Sequence, residues 1–278
     1  MDMDFRNRTV IVTGGSEGVG AAVARAFAAA GANLVLVARG RENLERVRQQ
    51  LGFGVAVETV AMDVADDEAC VALFETASAR FGNVHVLVNN AGDHERGPVE
   101  TVDAAALARM IDVNLKAPVI LSRLAIPHLR RAGGGAIVNV ASLAGRTPVP
   151  GAATYSATKF GLRAFSYALG DELAGSGIKV AVVSPGPIDT GFIMSNLDAV
   201  ADITFSQPLS SAEEVAATIL ELAVNDRREQ SMPRSSGFLT TASYLFPGLG
   251  RALRPALVRK GRKVKERLKA STPEKKSP

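Results

Sequence analysis

Tyr155 and Lys159 stand four residues apart in Ala153–Ala174, a stretch whose spacing predicts a helix, so their side chains share one face. An unperturbed phenol titrates at about 10, too high for proton exchange at neutral pH, and a nearby ammonium favours the phenolate and lowers that value. Such a pair suits general acid–base work on a carbonyl or alcohol oxygen. Ser142 follows the apolar run Ala136–Val140, so its hydroxyl can project from the end of a strand. Taken alone, Tyr and Lys at this spacing also describe an ordinary amphipathic surface pair.

A second group of residues suits a phosphate. Thr13-Gly14-Gly15-Ser16-Glu17-Gly18-Val19-Gly20 lies between an apolar run and a helical pattern. Glycines let the backbone approach a pyrophosphate, and a helix N-terminus adds free N–H groups and a positive dipole end. A tight strand-to-helix turn asks for glycines in any case, and the flanking elements favour the phosphate reading. Asp63 in Met62-Asp63-Val64 and the run Asn89-Asn90-Ala91-Gly92 each follow a further apolar run. Their simpler readings are a helix cap and an Asn-rich turn.

The elements that must position these groups alternate along the chain. Thr9–Val12, Asn33–Val37, Val55–Val60, Val84–Val88, Ala136–Val140 and Lys179–Val183 are short and β-branched, as strands buried on both faces are. Between them, Val19–Ala30, Glu42–Leu51, Glu68–Phe81, Ala104–Arg131 and Ala153–Ala174 carry helical patterns. Strand–helix alternation predicts an α/β fold with one doubly wound parallel sheet and helices on both faces. Asn225–Pro233 is a candidate seventh strand, and Ser211 caps a helix over Glu214–Val224. Residues 188–211 lack periodicity beyond the sixth strand's carboxyl end, where such sheets bind ligands, and are expected to form a substrate lid.

In this order and spacing the motifs resemble the short-chain dehydrogenase/reductase family from about Arg8 to Val224. The resemblance implies a Rossmann-type nucleotide site, with Thr13, Gly14, Gly18 and Gly20 in the phosphate loop and Ser16 and Val19 beside them. It puts Asp63 and Val64 at the adenine, and Asn90, Ala91 and Gly92 along the cofactor. Pro185, Gly186, Ile188 and Thr190 fall near the nicotinamide, with Thr190 at its carboxamide. The family's catalytic Asn, Ser, Tyr and Lys match Asn114, Ser142, Tyr155 and Lys159. In the implied mechanism Tyr155 exchanges the proton, Ser142 steadies the substrate oxygen, and Lys159 binds the nicotinamide ribose and lowers the Tyr155 pKa. Asn114 holds a relay water. No metal is implied. The implied assembly is a homodimer or higher homo-oligomer, although the Asp-Gly-Gly ending of many tetrameric members is missing. A cofactor-sensing regulator without turnover is the alternative, and the intact four-residue set argues against it.

The second strand ends Val37-Ala38-Arg39, with no acid for a ribose 2′-hydroxyl and an Arg suited to a 2′-phosphate. NADP(H) is therefore the expected cofactor. Glu17, where NADP-using relatives often carry a base, argues the other way, so NAD(H) stays open. The partner is a small carbonyl or alcohol, and the ending resembles branches with lipophilic ketone substrates.

Of the 278 residues, 251–278 hold eleven Lys/Arg and two Asp/Glu, a net of +9 that leaves −5 for the rest of a chain of net +4. A catalytic domain over 1–250 and a basic tail over 251–278 are expected, with the last ten or so residues disordered. Beside the apolar stretch Phe238–Phe246, that tail suits weak peripheral contact with an anionic membrane; its plainer reading is a packed helix and a solvated end. No stacking pattern accompanies the charge, so no nucleic acid is expected. The lone Cys70 reads as a small buried hydrophobe. The absence of a signal-peptide pattern and of an eighteen-residue apolar run points to the cytosol.

Overall fold

The structure, a computed structural model, describes residues 4–191 and 197–271. Seven strands form one sheet: β1 (Thr9–Thr13), β2 (Asn33–Ala38), β3 (Val57–Ala61), β4 (Val86–Asn89), β5 (Gly135–Val140), β6 (Ile178–Pro185) and β7 (Glu229–Met232). Their order is β3-β2-β1-β4-β5-β6-β7, and every pairing is parallel. Strand alternation sorts the core into two layers. Val10, Val12, Leu34, Leu36, Val86 and Val88 face one side, while Ile11, Val35, Val37 and Leu87 face the other.

The first layer is covered by α1 (Gly18–Ala29), α2 (Arg41–Leu51) and α7 (Ala212–Leu222); the second by α3 (Asp67–Phe81), α5 (Ala117–Arg131) and α6 (Ala153–Glu172). Caps fix the starts of several helices. Asp66 accepts from the Glu68 and Ala69 N–H groups, and Ser211 and Glu214 form a capping box at α7. Cys70 is buried, its thiol donates to the Val64 carbonyl at 3.3 Å, and burial pushes its pKa up to about 11.

Two segments depart from expectation. Ala104–Arg131 is not one regular helix: α4 (Ala104–Ile111) passes into α5 through a π-helical turn over Asp112–Lys116. Pro118 has no N–H for the Asn114 carbonyl four residues earlier, so regular α bonding cannot run through this point.

The second concerns the C-terminus. After β7 come α8 (Arg234–Leu245) and α9 (Pro247–Ser271), and α9 runs unbroken through the expected boundary at 250/251. It packs on the segment before α7. Val264 and Leu268 join Leu197, Val200 and Phe205 in a small third core, and the Lys265 Nζ donates to the Val200 carbonyl at 2.7 Å. Arg262 and Lys265 pair with Asp202, and Lys269 with Asp198. The expected disorder covers 269–278; residues 269–271 are helical and the rest lie outside the described residues.

Gly261 is the point of closest approach, since a Cβ there would lie 1.8 Å from the Asp202 carbonyl oxygen. Gly261→Ala is expected to lift α9 off the lid segment and cost about 1–3 kcal/mol, as overpacking does. Urea unfolding checks this; an unchanged midpoint would show that α9 contributes nothing to stability.

Candidate active site

A cavity of about 1160 Å³ opens at the carboxyl ends of the strands. It spans the point between β1 and β4 where the strand order reverses, as expected for ligand sites in open α/β sheets. Gly14, Ser16, Gly18, Val19 and Gly20 line it after β1, Arg39 after β2, Asp63 and Val64 after β3, and Asn90, Ala91 and Gly92 after β4. Ser142 follows β5; Pro185, Gly186, Ile188 and Thr190 lie at and beyond the end of β6; Tyr155 and Lys159 come from α6. Two of the singled-out residues, Thr13 and Asn114, stand behind the wall and do not line it.

Thr13 holds the phosphate loop against β4. Its hydroxyl accepts from the Asn90 and Ala91 N–H groups at 3.0 Å each, while the Asn90 amide donates to the Thr13 carbonyl at 2.9 Å. The loop needs its glycines: Gly14 and Gly18 have φ +65° and +50°, and a Cβ on Gly20 would sit 1.9 Å from the Gly14 carbonyl oxygen. Glu17 at the N-terminus of α1 makes no side-chain cap, which leaves the first N–H groups of the helix to other acceptors. Backbone cradle, helix dipole and absent cap together fit a dinucleotide phosphate. Asn89, by contrast, turns inward and donates to the Asn139 amide oxygen at 2.8 Å, tying β4 to β5.

Asp63 is oriented by a residue that sequence reading missed. Arg109 on α4 pairs with it at 2.9 Å, and the Ala65 N–H donates to it at 3.0 Å. These bonds, with Arg39 nearby, lower its pKa against the opposing effect of burial. Arg109 sits forty-six positions away on another element, so no local pattern reveals it.

Asn114 lies in the π-helical turn and is fully buried. Its Oδ1 accepts from the Asp93 N–H at 2.7 Å and its Nδ2 donates to the Asp93 carbonyl at 2.8 Å, which pins the loop after β4. That loop carries His94, whose ring stacks on Tyr155 with centroids 3.9 Å apart and planes 12° apart. Burial, with Arg96 and Lys159 nearby, holds His94 down to about 3, so it is neutral at physiological pH. Neither His94 nor Arg96 carried a recognisable signal in the sequence.

The Lys159 Nζ donates to the Val140 carbonyl at 2.8 Å and lies 5.8 Å from the Tyr155 ring centroid; burial brings its pKa down to about 8. Tyr155 is half-buried at the cavity wall, and burial raises its pKa. A hydrogen bond with Ser142 and the charge of Arg96 act in the opposite direction. The expected lowering by Lys159 is therefore not found here: burial prevails, and the opposing cation is Arg96. Ser142 also accepts from the Ala144 N–H at 3.1 Å, which fixes its rotamer toward the cavity.

The short chain dehydrogenase family matches residues 8–200. The chain belongs to this family. Sulfoacetaldehyde reductase 2 of Chromohalobacter salexigens is 37% identical over 236 residues, covering 81% of this chain and 93% of that one. Cis-4-hydroxycyclohexanecarboxylate dehydrogenase of Sinomonas cyclohexanicum is 37% identical over 226 residues, covering 79% and 90%. A metagenomic short-chain oxidoreductase solved in complex with NADP superposes with a TM-score of 0.70 at 32% identity, over 82% of this chain and 97% of that one. The protein is thus a short-chain dehydrogenase/reductase, an oxidoreductase acting on carbonyl or alcohol groups. It has the parallel Rossmann-type sheet of that family.

The lid expected over 188–211 falls partly outside the described residues, at 192–196. Its described part, including Val200, Ile203 and Gln207, lines the cavity opposite the sheet. Leu239, Leu253, Arg254 and Leu257 of α8 and α9 complete that far wall. What the charge run describes as a tail is thus, over its first turns, a wall of the cavity.

Proposed function

We propose that Tyr155 exchanges the proton with the substrate oxygen while Ser142 donates a hydrogen bond to that oxygen as charge builds on it. The carrying observation is that both hydroxyls meet at one wall of the cavity, with the Lys159 ammonium 5.8 Å from the tyrosine ring. When bound, the nicotinamide supplies or accepts the hydride. Lys159 binds its ribose and keeps a positive charge near the reacting oxygens. Asn114 supports the relay through its main-chain carbonyl, which Pro118 deprives of its regular helical donor. Its side chain fixes Asp93 and the loop that stacks His94 on Tyr155.

NADP(H) is the proposed cofactor, read by Arg39, which is exposed at the cavity edge after β2 beside Ala38. Arg39→Ala removes a charge-assisted contact worth about 1.5–3 kcal/mol, so NADPH affinity is expected to fall about ten- to a hundredfold with NADH affinity unchanged. Titration with both cofactors checks this. Undiminished NADPH affinity, or a parent protein that prefers NADH, would contradict the role given to Arg39.

The proposed substrate is a lipophilic ketone or the matching secondary alcohol, because Leu239, Leu253, Leu257, Val200 and Ile203 stand on the far wall among the charged side chains of Asp202, Arg251, Arg254 and Lys265; its proposed location is the cytosol. A second reading, a substrate with an anionic group, is favoured by Arg96 in the same cavity and by the sulfonate and carboxylate in the relatives' names. Initial rates on ketones of graded chain length, each with and without a carboxylate, separate the two.

A further inference from the structure

Among the described residues, the exposed large apolar side chains outside the C-terminal helices, Phe53, Val71, Val99, Ile111 and Val224, stand singly. The corner between α8 and α9 is different. Phe238 is 85% exposed, Leu245 and Phe246 64% each, and Tyr244 and Leu249 also lie open, all within twelve residues. A cluster of this kind signals an interaction surface. Pro247 begins α9 directly after Phe246, so the corner is tight and presents its apolar side chains at one tip.

Positive charge surrounds that tip. Residues 251–271 hold nine Lys/Arg and one acid, Glu266. Arg262, Lys265 and Lys269 are engaged by Asp198 and Asp202, but Arg251, Arg254, Arg259, Lys260, Lys263 and Arg267 form no ion pair among the described residues. The inner face of α9 is used: Gly261 is buried, and Leu257, Val264 and Leu268 are partly covered, at helical spacing. Arg259, Lys263 and Arg267 fall on the opposite, exposed face.

We infer that the α8–α9 corner inserts its apolar tip into the interface of an anionic lipid bilayer, with the cations of α9 against the headgroups. Exposed apolar side chains flanked by unpaired cations are what such a surface attracts, through apolar burial and charge together. A second copy of the chain fits less well. A two-fold contact through this corner would set the two cationic helices side by side, within reach of their mutual repulsion. No described helix is long and apolar enough to cross a membrane, so the contact is peripheral. Leu239, Pro247 and Gly250 on the same corner line the cavity, so docking sets the cavity mouth at the lipid surface. This deepens the reading of a lipophilic substrate and rests on it only for the benefit of docking, not for docking itself.

Co-sedimentation of the full chain with vesicles tests the inference without cofactor or substrate, so its failure leaves the catalytic reading untouched. Phosphatidylcholine vesicles are compared with vesicles containing about one third phosphatidylglycerol, which carry the anionic surface potential. The expected result is binding to the anionic vesicles at low salt, weakened about tenfold or more at ~0.5 M salt as screening shortens. The double variant Phe246→Ser/Leu249→Ser should lose about tenfold per side chain. Arg259→Glu/Lys263→Glu should lose about fivefold or more per site. None of these four residues touches the cavity, so both variants should keep their rate on a water-soluble carbonyl. No sedimentation of the parent with anionic vesicles at low salt would overturn the inference, as would equal recovery on neutral lipid. So would light scattering that shows a parent dimer turned monomer by the tip variant, with no vesicle binding. If a variant misfolds, the lipid and salt series on the parent still decides.

Discussion

Tyr155→Phe is expected to lower turnover by about 10²–10⁴-fold, the share that a positioned general acid–base contributes. The phenyl ring keeps the stack on His94 and the space that Tyr155 fills, and only the hydroxyl that meets Ser142 is removed. NADPH affinity should therefore stay within about threefold of the parent, and the loss should fall on kcat. The comparison of kcat with cofactor affinity matters, because a variant that loses both has lost structure rather than a proton donor. Ser142→Ala should lose less. It removes one hydrogen bond to the developing charge, and the cavity and the tyrosine remain. Activity of Tyr155→Phe within tenfold of the parent would contradict the assignment.

Glu229→Ala is expected to destabilise the fold by about 3 kcal/mol, toward the low end of the cost of a broken buried pair because Arg146 and Arg163 are only partly buried. The Glu229 side chain is 6% exposed and holds Arg146 and Arg163, with further bonds from Tyr167 and Ser184 at 2.8 Å each. It thereby ties β7 to β6, to α6 and to the turn after β5 that carries Ser142. Burial raises the pKa of this carboxyl, but the hydrogen bonds from Arg163, Arg146, Ser184 and Tyr167 outweigh it and bring it from 4.5 down to about 2. A folded-state pKa below the unfolded one means stability that is complete above about 4.5 and drains away as the pH falls toward about 2. A shift of that size corresponds to about 3 kcal/mol, in line with the mutational expectation. Urea midpoints measured from neutral pH down to about 3 should show this slope in the parent and a flatter one in Glu229→Gln. Parallel slopes would place the acid sensitivity elsewhere.

The sheet was legible because β-branched runs without polar alternation admit few other structures. Gly14, Asn90 and Gly92 follow from those runs, since they stand just after β1 and β4. Contacts between distant elements were hidden. Arg109 reaches Asp63 from a helix forty-six residues on, and His94 stacks on Tyr155 from the loop that Asn114 pins at Asp93. The π-helical turn left one trace, Pro118 four residues after Asn114, which a reading of apolar spacing passes over. In α9 the inward-facing positions Leu257, Gly261, Val264 and Leu268 keep helical spacing, but the cations between them read as a solvated tail. Lys and Arg side chains can lie along such a face with their charges in water, which is how a basic helix covers apolar surface. The Tyr155 pKa also escaped the sequence, because spacing gives the neighbour's charge and says nothing of burial.

Hydride transfer from the nicotinamide to the substrate carbon is read out by deuterium. NADPH deuterated at the transferred position is mixed with a ketone that the parent protein reduces, and the product alcohol is examined by mass spectrometry and NMR. The expected product carries one deuterium on the carbinol carbon as a single stereoisomer, and Tyr155→Phe should form it about 10²–10⁴-fold more slowly although the variant still binds NADPH. Labelled alcohol formed by Tyr155→Phe within tenfold of the parent's rate, or alcohol formed by the parent without label, would rule out this chemistry.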